Sequence, residues 1–225
     1  MTQITPRTRE IFARLIGFDT VSANPNIALM DYVAGLLTEV GIASTLIPDP
    51  AGGKANLYAT VGQGSGGVML SGHTDVVPVE GQAWTYPPFA LTEADGRLYG
   101  RGVADMKGGI AASMLAFALL AEYRHAWRGE AVLTLAGDEE SMGPLGTKWL
   151  LDTVPGLAQA DGVIIGDAGS PRVLRFGEKG FVWIEIEAAG RASHGAHVHL
   201  GDNAIDRLRA ALDAVAALRS MAPEA

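Results

Sequence analysis

Three short apolar runs, each closing on an acid or a histidine, constrain this chain more than any other feature. "VMLSGHTD" leads to His73 and Asp75, "AVLTLAGDEE" to Glu139 and Glu140, and "GVIIGD" to Asp167. Such runs are too short for buried helices and have the length of buried strands. "ANLYATVG" reads as a further strand before them. Around them lie stretches with helical spacing: residues 8–18, residues 27–40 with Gly41 as the residue that closes the helix, "GIAASMLAFALLAEY" and "GTKWLLDTV". The third of these is apolar on almost every side, which predicts burial against a sheet and something else. Strands alternating with helices predict an α/β fold, a mostly parallel sheet flanked by helices. The crevice beyond the C-terminal ends of such strands is where ligands bind.

Composition narrows the class. Of 225 residues, 48% are hydrophobic and 19% charged, a balance that supports a packed core. Lys and Arg number 17 against 25 Asp and Glu, and the net charge of 17 − 25 = −8 excludes a general nucleic-acid surface. With no cysteine, disulfides, thiolate metal sites and a cysteine nucleophile are excluded, so a metal must be held by His, Asp and Glu. No stretch reaches the roughly 18 uncharged apolar residues of a membrane span. The first residues, "MTQITPRTREIFARLIGF", lack a signal-peptide core. The expectation is a cytoplasmic protein without membrane partners.

The segment "LYGRGVADMKGGIAASM" places Asp105 among glycines directly before the apolar helix. Taken singly, each acid has an ordinary reading. Asp105 would cap a helix, Glu139 and Glu140 would sit on a wet face or at a helix start, Asp167 would belong to a turn, and His73 would bond a nearby acid. Together, four or five carboxylates at successive strand ends would repel one another without cations. A divalent metal site, with two metals rather than one, is the economical explanation. His73 favours zinc, cobalt or manganese over a calcium or magnesium site.

After residue 177 the pattern changes. "FVWIEIEAAG" alternates as a strand with one wet face does. A His-rich loop with His194, His197 and His199 follows, then a helix from Asn203 to about Arg219. His197 and His199 read as exposed loop residues.

"SGHTDVVP", "GRGVADMKGG" and "GDEESMG", in that order, resemble the M20 family of metal-dependent aminoacylases and peptidases, which includes acetylornithine deacetylase and succinyl-diaminopimelate desuccinylase. "GVIIGDAG" and "GRASHGAHVHLGDNAI" also fall where family segments do. The resemblance implies a zinc-peptidase-like catalytic domain over residues 1–177, incomplete at its C-terminal side. Residues 178–225 would begin an inserted α+β lid or dimerisation domain. It implies two divalent ions, zinc first, with cobalt or manganese as alternatives. His73 and Asp167 would hold one, Glu140 the other, and Asp105 would bridge them, as a short stiff carboxylate can between metals about 3.5 Å apart. Asp75 would take the second imidazole N–H and fix the ring tautomer. Glu139 would be the general base. His194 would reach into a partner's site and stabilise an oxyanion. The peptide bond after Asp105 would be cis, and glycines 100, 102, 108 and 109 would let the turn approach the site.

The implied activity is hydrolysis of the amide of an N-acyl amino acid, of deacetylase or desuccinylase type, by a homodimer formed through the lid. Two other readings stand beside it: a di- or carboxypeptidase acting on short peptides, and an inactive truncated remnant that binds metal or a partner. Family enzymes are considerably longer, and their return to the catalytic sheet carries a last histidine ligand. No histidine follows His199, so the resemblance leaves a fragment or a truncated gene product; a complete chain of this length would have a weakened second metal site and little or no hydrolase activity.

Overall fold

The protein is described by a computed structural model over residues 5–64, 66–169, 172–177, 180 and 182–218. The chain divides into two units, Met1–Val173 and Leu174–Ala225.

In the first unit, helix α1 (Pro6–Ile16) starts on an N-cap, Thr5, whose hydroxyl accepts from the Thr8 amide, with Pro6 in the first turn. Helix α2 (Ile27–Glu39) ends before Gly41, whose φ of 74° fits the left-handed position there. Five strands form the main sheet: β1 (Ser44–Pro48), β2 (Ala55–Gln63), β3 (Gly67–His73), β6 (Gly129–Ala136) and β7 (Gly162–Ile165), in the order β1-β2-β6-β3-β7. β3 runs parallel to β6 and to β7, β2 runs antiparallel to β6, and β1 antiparallel to β2. Four strands therefore point one way and only β2 opposes them, so the expected mostly parallel sheet is present. β1 was not legible beforehand, because "STLIP" is short and half-exposed.

Between β3 and β6 lie a small hairpin, β4 (Thr92–Ala94) and β5 (Arg97–Tyr99), and helix α3 (Lys107–Glu122). The hairpin turns on Asp95 and Gly96, both at positive φ, 51° and 69°. An Asp-Gly pair is a strong short-range signal for such a tight turn.

The two faces of the sheet are covered by different helices. Leu70, Leu133 and Leu135 point into a large core with Leu15, Leu29, Met30 and Phe117 of α1, α2 and α3. Met69 and Val132, one residue out of phase, join Leu150 of α4 (Thr147–Thr153) and Leu157 in a smaller core on the other face. Period-two alternation between two buried faces explains why β6 reads as a nearly continuous apolar run. Helix α3 departs from expectation. Ile110, Met114 and Phe117 are buried, but Leu115 and Leu119 are 46% and 47% exposed, because no described element of this unit packs on that side.

In the second unit, helix α5 (Ala204–Ala217) begins at Asn203, whose side chain accepts from the Ile205 amide. A 3-10 turn spans Gly195–Leu200, and Arg191 pairs with Asp202 in an isolated antiparallel bridge. The strand expected at "FVWIEIEAAG" does not form over residues 182–190, and Val182 and Trp183 are 81% and 84% exposed. An amphipathic strand is stable only with neighbours on its ladder and cover on its apolar face, and the described residues of this unit supply neither. Phe181 and Arg219 lie outside the described residues. Among the described residues no helix is long and apolar enough to cross a membrane.

Candidate metal centre

β3 ends on His73, and the parallel register sets it beside Ala136 at the end of β6. β7 pairs with the other edge of β3 and stops two residues before Asp167. Three parallel strands thus deliver His73, the 138–140 segment and Asp167 to one end of the sheet. Asp105 arrives from the glycine turn ahead of α3.

Two close approaches make that turn possible. Gly102 has φ of 83°, and a Cβ there would lie 3.0 Å from Val76 Cγ1. A Cβ on Gly109 would lie 1.9 Å from the carbonyl oxygen of Gly166, so the first turn of α3 rests on backbone next to Asp167. Met106, not Asp105, is the N-cap of α3, and it makes no side-chain cap bond. The helix-capping reading of Asp105 is therefore not the one adopted. The Asp105–Met106 peptide is cis, as expected.

His73 is 3% exposed, and its Nδ1 lies 3.0 Å from the backbone carbonyl of Asp75. That carbonyl can only accept, so Nδ1 carries a proton. Its Nε2 lies 3.0 Å from Asp105 Oδ1 and 3.7 Å from Glu139 Oε2. Neither Nε2 nor Asp105 Oδ1 has a hydrogen-bond partner although both atoms are buried. Donor atoms of His73, Asp105 and Asp167 lie within 4.8 Å of one another. Two orphaned buried atoms, an imidazole nitrogen and a carboxylate oxygen, beside the exposed Asp167 carboxylate suit a borderline divalent ion. Glu140 is not in that group of three.

Asp75 does more than face the imidazole. Its Oδ1 is 3.5 Å from Nδ1, while its carboxylate accepts from the amides of Glu139 and Glu140, both at 3.1 Å, and from Ser22 Oγ at 2.7 Å. The carboxylate thus gathers three donors from two loops and also faces the imidazole N–H, which it shares with the backbone carbonyl of the same residue.

Electrostatics follow from crowding. Burial alone would lower the His73 pKa, but the Asp75 and Glu139 carboxylates outweigh it and lift the ring to about 9. Burial works against ionising Asp75, yet its hydrogen bonds from His73, Ser22 and the two amides bring it down to about 2. Burial, then the charge of Asp105, pushes Glu140 up to about 7. Burial first, then Asp167, raises Asp105, and burial first also raises Glu139.

Sequence reasoning gave no role to Ser22, Lys54 or Lys107. Lys107 is fully buried, its Nζ donates to the Phe18 carbonyl at 2.7 Å, and burial draws its pKa down to about 8. A lysine inside a glycine turn was the available signal; Ser22 and Lys54 had none. His194 lies in the second unit, where its Nδ1 accepts from the Ala196 amide at 3.1 Å. A groove of about 1190 Å³ opens at the other end of the sheet, lined by Val40, Leu115, Leu119 and Trp127.

Fold and site together define an α/β protein with a carboxylate-rich candidate metal centre at its strand ends. Residues 69–224 match the peptidase family M20/M25/M40, and the chain belongs to it. It is 36% identical over 196 residues to a succinyl-diaminopimelate desuccinylase of Rhodospirillum centenum, covering 83% of this chain and 51% of that protein. It is 36% identical over 204 residues to a probable succinyl-diaminopimelate desuccinylase of Staphylococcus aureus, covering 88% and 48%. The chain thus spans about half the length of the curated relatives it matches. Among solved structures, an M20 family metallo-carboxypeptidase from Sulfolobus solfataricus superposes with a TM-score of 0.64 at 22% identity, over 73% of this chain and 38% of that one.

Proposed function

We propose that this chain carries the metal-binding half of a dinuclear hydrolase that cleaves the amide of an N-acyl amino acid, with N-succinyl-diaminopimelate the first substrate to test. The observation that carries the reading is the pair of buried, unpartnered atoms, His73 Nε2 and Asp105 Oδ1, facing each other beside Asp167. The identity to desuccinylases supports the substrate class. His73, Asp105 and Asp167 would hold one ion, and Asp105 with Glu140 a second, zinc first and cobalt or manganese as alternatives. When bound, the ions would polarise the amide carbonyl and acidify a water.

The protein's own residues do the rest. Asp75 holds the Glu139–Glu140 amides and so aims both side chains. Glu139, half-exposed and 3.7 Å from His73, takes the water's proton and passes it to the leaving amine. In the whole protein the second unit would be a lid and dimer contact, bringing His194 to the oxyanion of a partner's site. A cytoplasmic location fits this substrate class. A peptidase of the same family is the second reading, favoured by the superposition on a carboxypeptidase.

The test is hydrolysis by protein expressed from its native gene and loaded with zinc or cobalt. N-succinyl-diaminopimelate and N-acetylornithine are compared with dipeptides. Preferential release of succinate supports the desuccinylase reading, and preferential dipeptide cleavage replaces it. Glu139→Gln should lower turnover by about 10²–10⁴-fold with metal content unchanged. Near-native turnover in that variant would remove Glu139 from the base role.

A further inference from the structure

Asp138, the residue ahead of the Glu139–Glu140 pair, is 7% exposed and is not one of the three-residue donor group. Its Oδ1 receives Lys54 Nζ at 2.8 Å and Ser141 Oγ at 2.6 Å. Both partners of the ion pair are largely buried, with side-chain exposures of 15% for Lys54 and 9% for Asp138. Lys54 is itself fixed. Its amide donates to Asp49 Oδ2 at 3.1 Å, and its carbonyl accepts from the Asp49 amide at 2.9 Å, just before β2. On the other side, the turn beyond Asp138 closes through Gly143 N to the Asp138 carbonyl at 3.0 Å. A Cβ on Gly143 would lie 1.5 Å from Asp138 Oδ2, so that carboxylate fills the inside of the turn.

We infer that Lys54 is a positioning residue: its ion pair with Asp138 anchors one end of the turn whose next two amides are held by Asp75, and thereby aims Glu139 and Glu140. The two glutamates need such an anchor. The Glu139 side chain is 51% exposed, and its attractive partner, the His73 ring, lies 3.7 Å away, beyond hydrogen-bond reach. Held at Asp138 by Lys54 and at the following amides by Asp75, the backbone leaves each glutamate only its own rotamers to settle. Removing Lys54 would leave a buried carboxylate without its cation at the first residue of the turn. The consequence for metal binding rests on the function proposed above; the order of the turn does not.

The experiment measures amide hydrogen exchange by NMR in the 225-residue chain, and separately cobalt uptake by visible absorption. Lys54→Met should speed exchange of the Glu139 and Glu140 amides by about tenfold or more, with residues 132–135 of β6 changed by less than about twofold. Cobalt affinity should fall by about tenfold, and Lys54→Arg should restore both readouts. Asp138→Asn, which keeps an acceptor for Ser141, should act in the same direction and serves if Lys54→Met does not fold. Unchanged exchange at the two amides, or equal acceleration throughout β6, would overturn the inference in favour of a merely stabilising ion pair. Faster exchange at the two amides with undiminished cobalt affinity would overturn the link to the metals. A wild-type chain that takes up no cobalt, with the exchange pattern intact, would sink the metal reading while the positioning of the turn stands.

Discussion

His73 gives its two nitrogens different work. Nδ1 is spent on a backbone carbonyl, and Nε2 is left bare toward Asp105 and Glu139. Without a cation that arrangement stores protons, because the imidazole rises to about 9 and Glu140 to about 7. A metal bound at Nε2 must displace the proton held there at neutral pH. Zinc uptake at pH 7 should therefore release protons, and affinity should climb as pH rises toward 9. Titration calorimetry in buffers of different ionisation enthalpy checks this; heats independent of the buffer would contradict it. At this scale the acids and His73 were legible, because charged residues closing apolar runs have few structural reasons to be there. The further contacts of the set were not. Asp75 faces the imidazole as the sequence implied, but its carboxylate also holds two amides and Ser22, brought to it by loops distant in sequence.

Among the elements, β6 and α3 do most to place the site. β6 is buried on both faces and carries the 138–140 segment out of the core. α3 is pressed against the backbone beside Asp167 through Gly109. A methyl at that position meets a carbonyl oxygen, which neither partner can yield without moving the helix or β7. Gly109→Ala should cost about 1–3 kcal/mol in urea unfolding and weaken cobalt binding as well, since Asp105 and Asp167 part company. Loss of stability with full cobalt affinity would show that α3 shifts without moving the ligands. The glycines announced a tight turn in the sequence, but which backbone they approach is a tertiary fact.

Across the whole first unit, the sheet is well covered at its centre and open at β7. Val163, Ile164 and Ile165 are 54%, 57% and 60% exposed on a strand whose one partner, β3, is largely buried. An apolar edge strand of this kind invites pairing with another chain. The 225-residue chain should self-associate with rising concentration in sedimentation velocity, and Ile164→Lys should reduce it. Association that persists unchanged in the variant would place the contact elsewhere.

The sequence by itself determined the class of fold and which acids and histidine stand together at the strand ends. Period-two and period-3.6 patterns decide which residues must be buried, and buried strands alternating with helices admit few topologies. Tertiary structure alone decided the rest. It decided that residues 182–190 are not a strand here, since a strand exists only through its neighbours. It left one face of α3 exposed. It also joined Lys54 to Asp138 across 84 residues of chain. Hydrogen bonds and ion pairs between distant segments leave no periodic trace, because they depend on where the fold brings the backbone and not on what lies beside it in sequence.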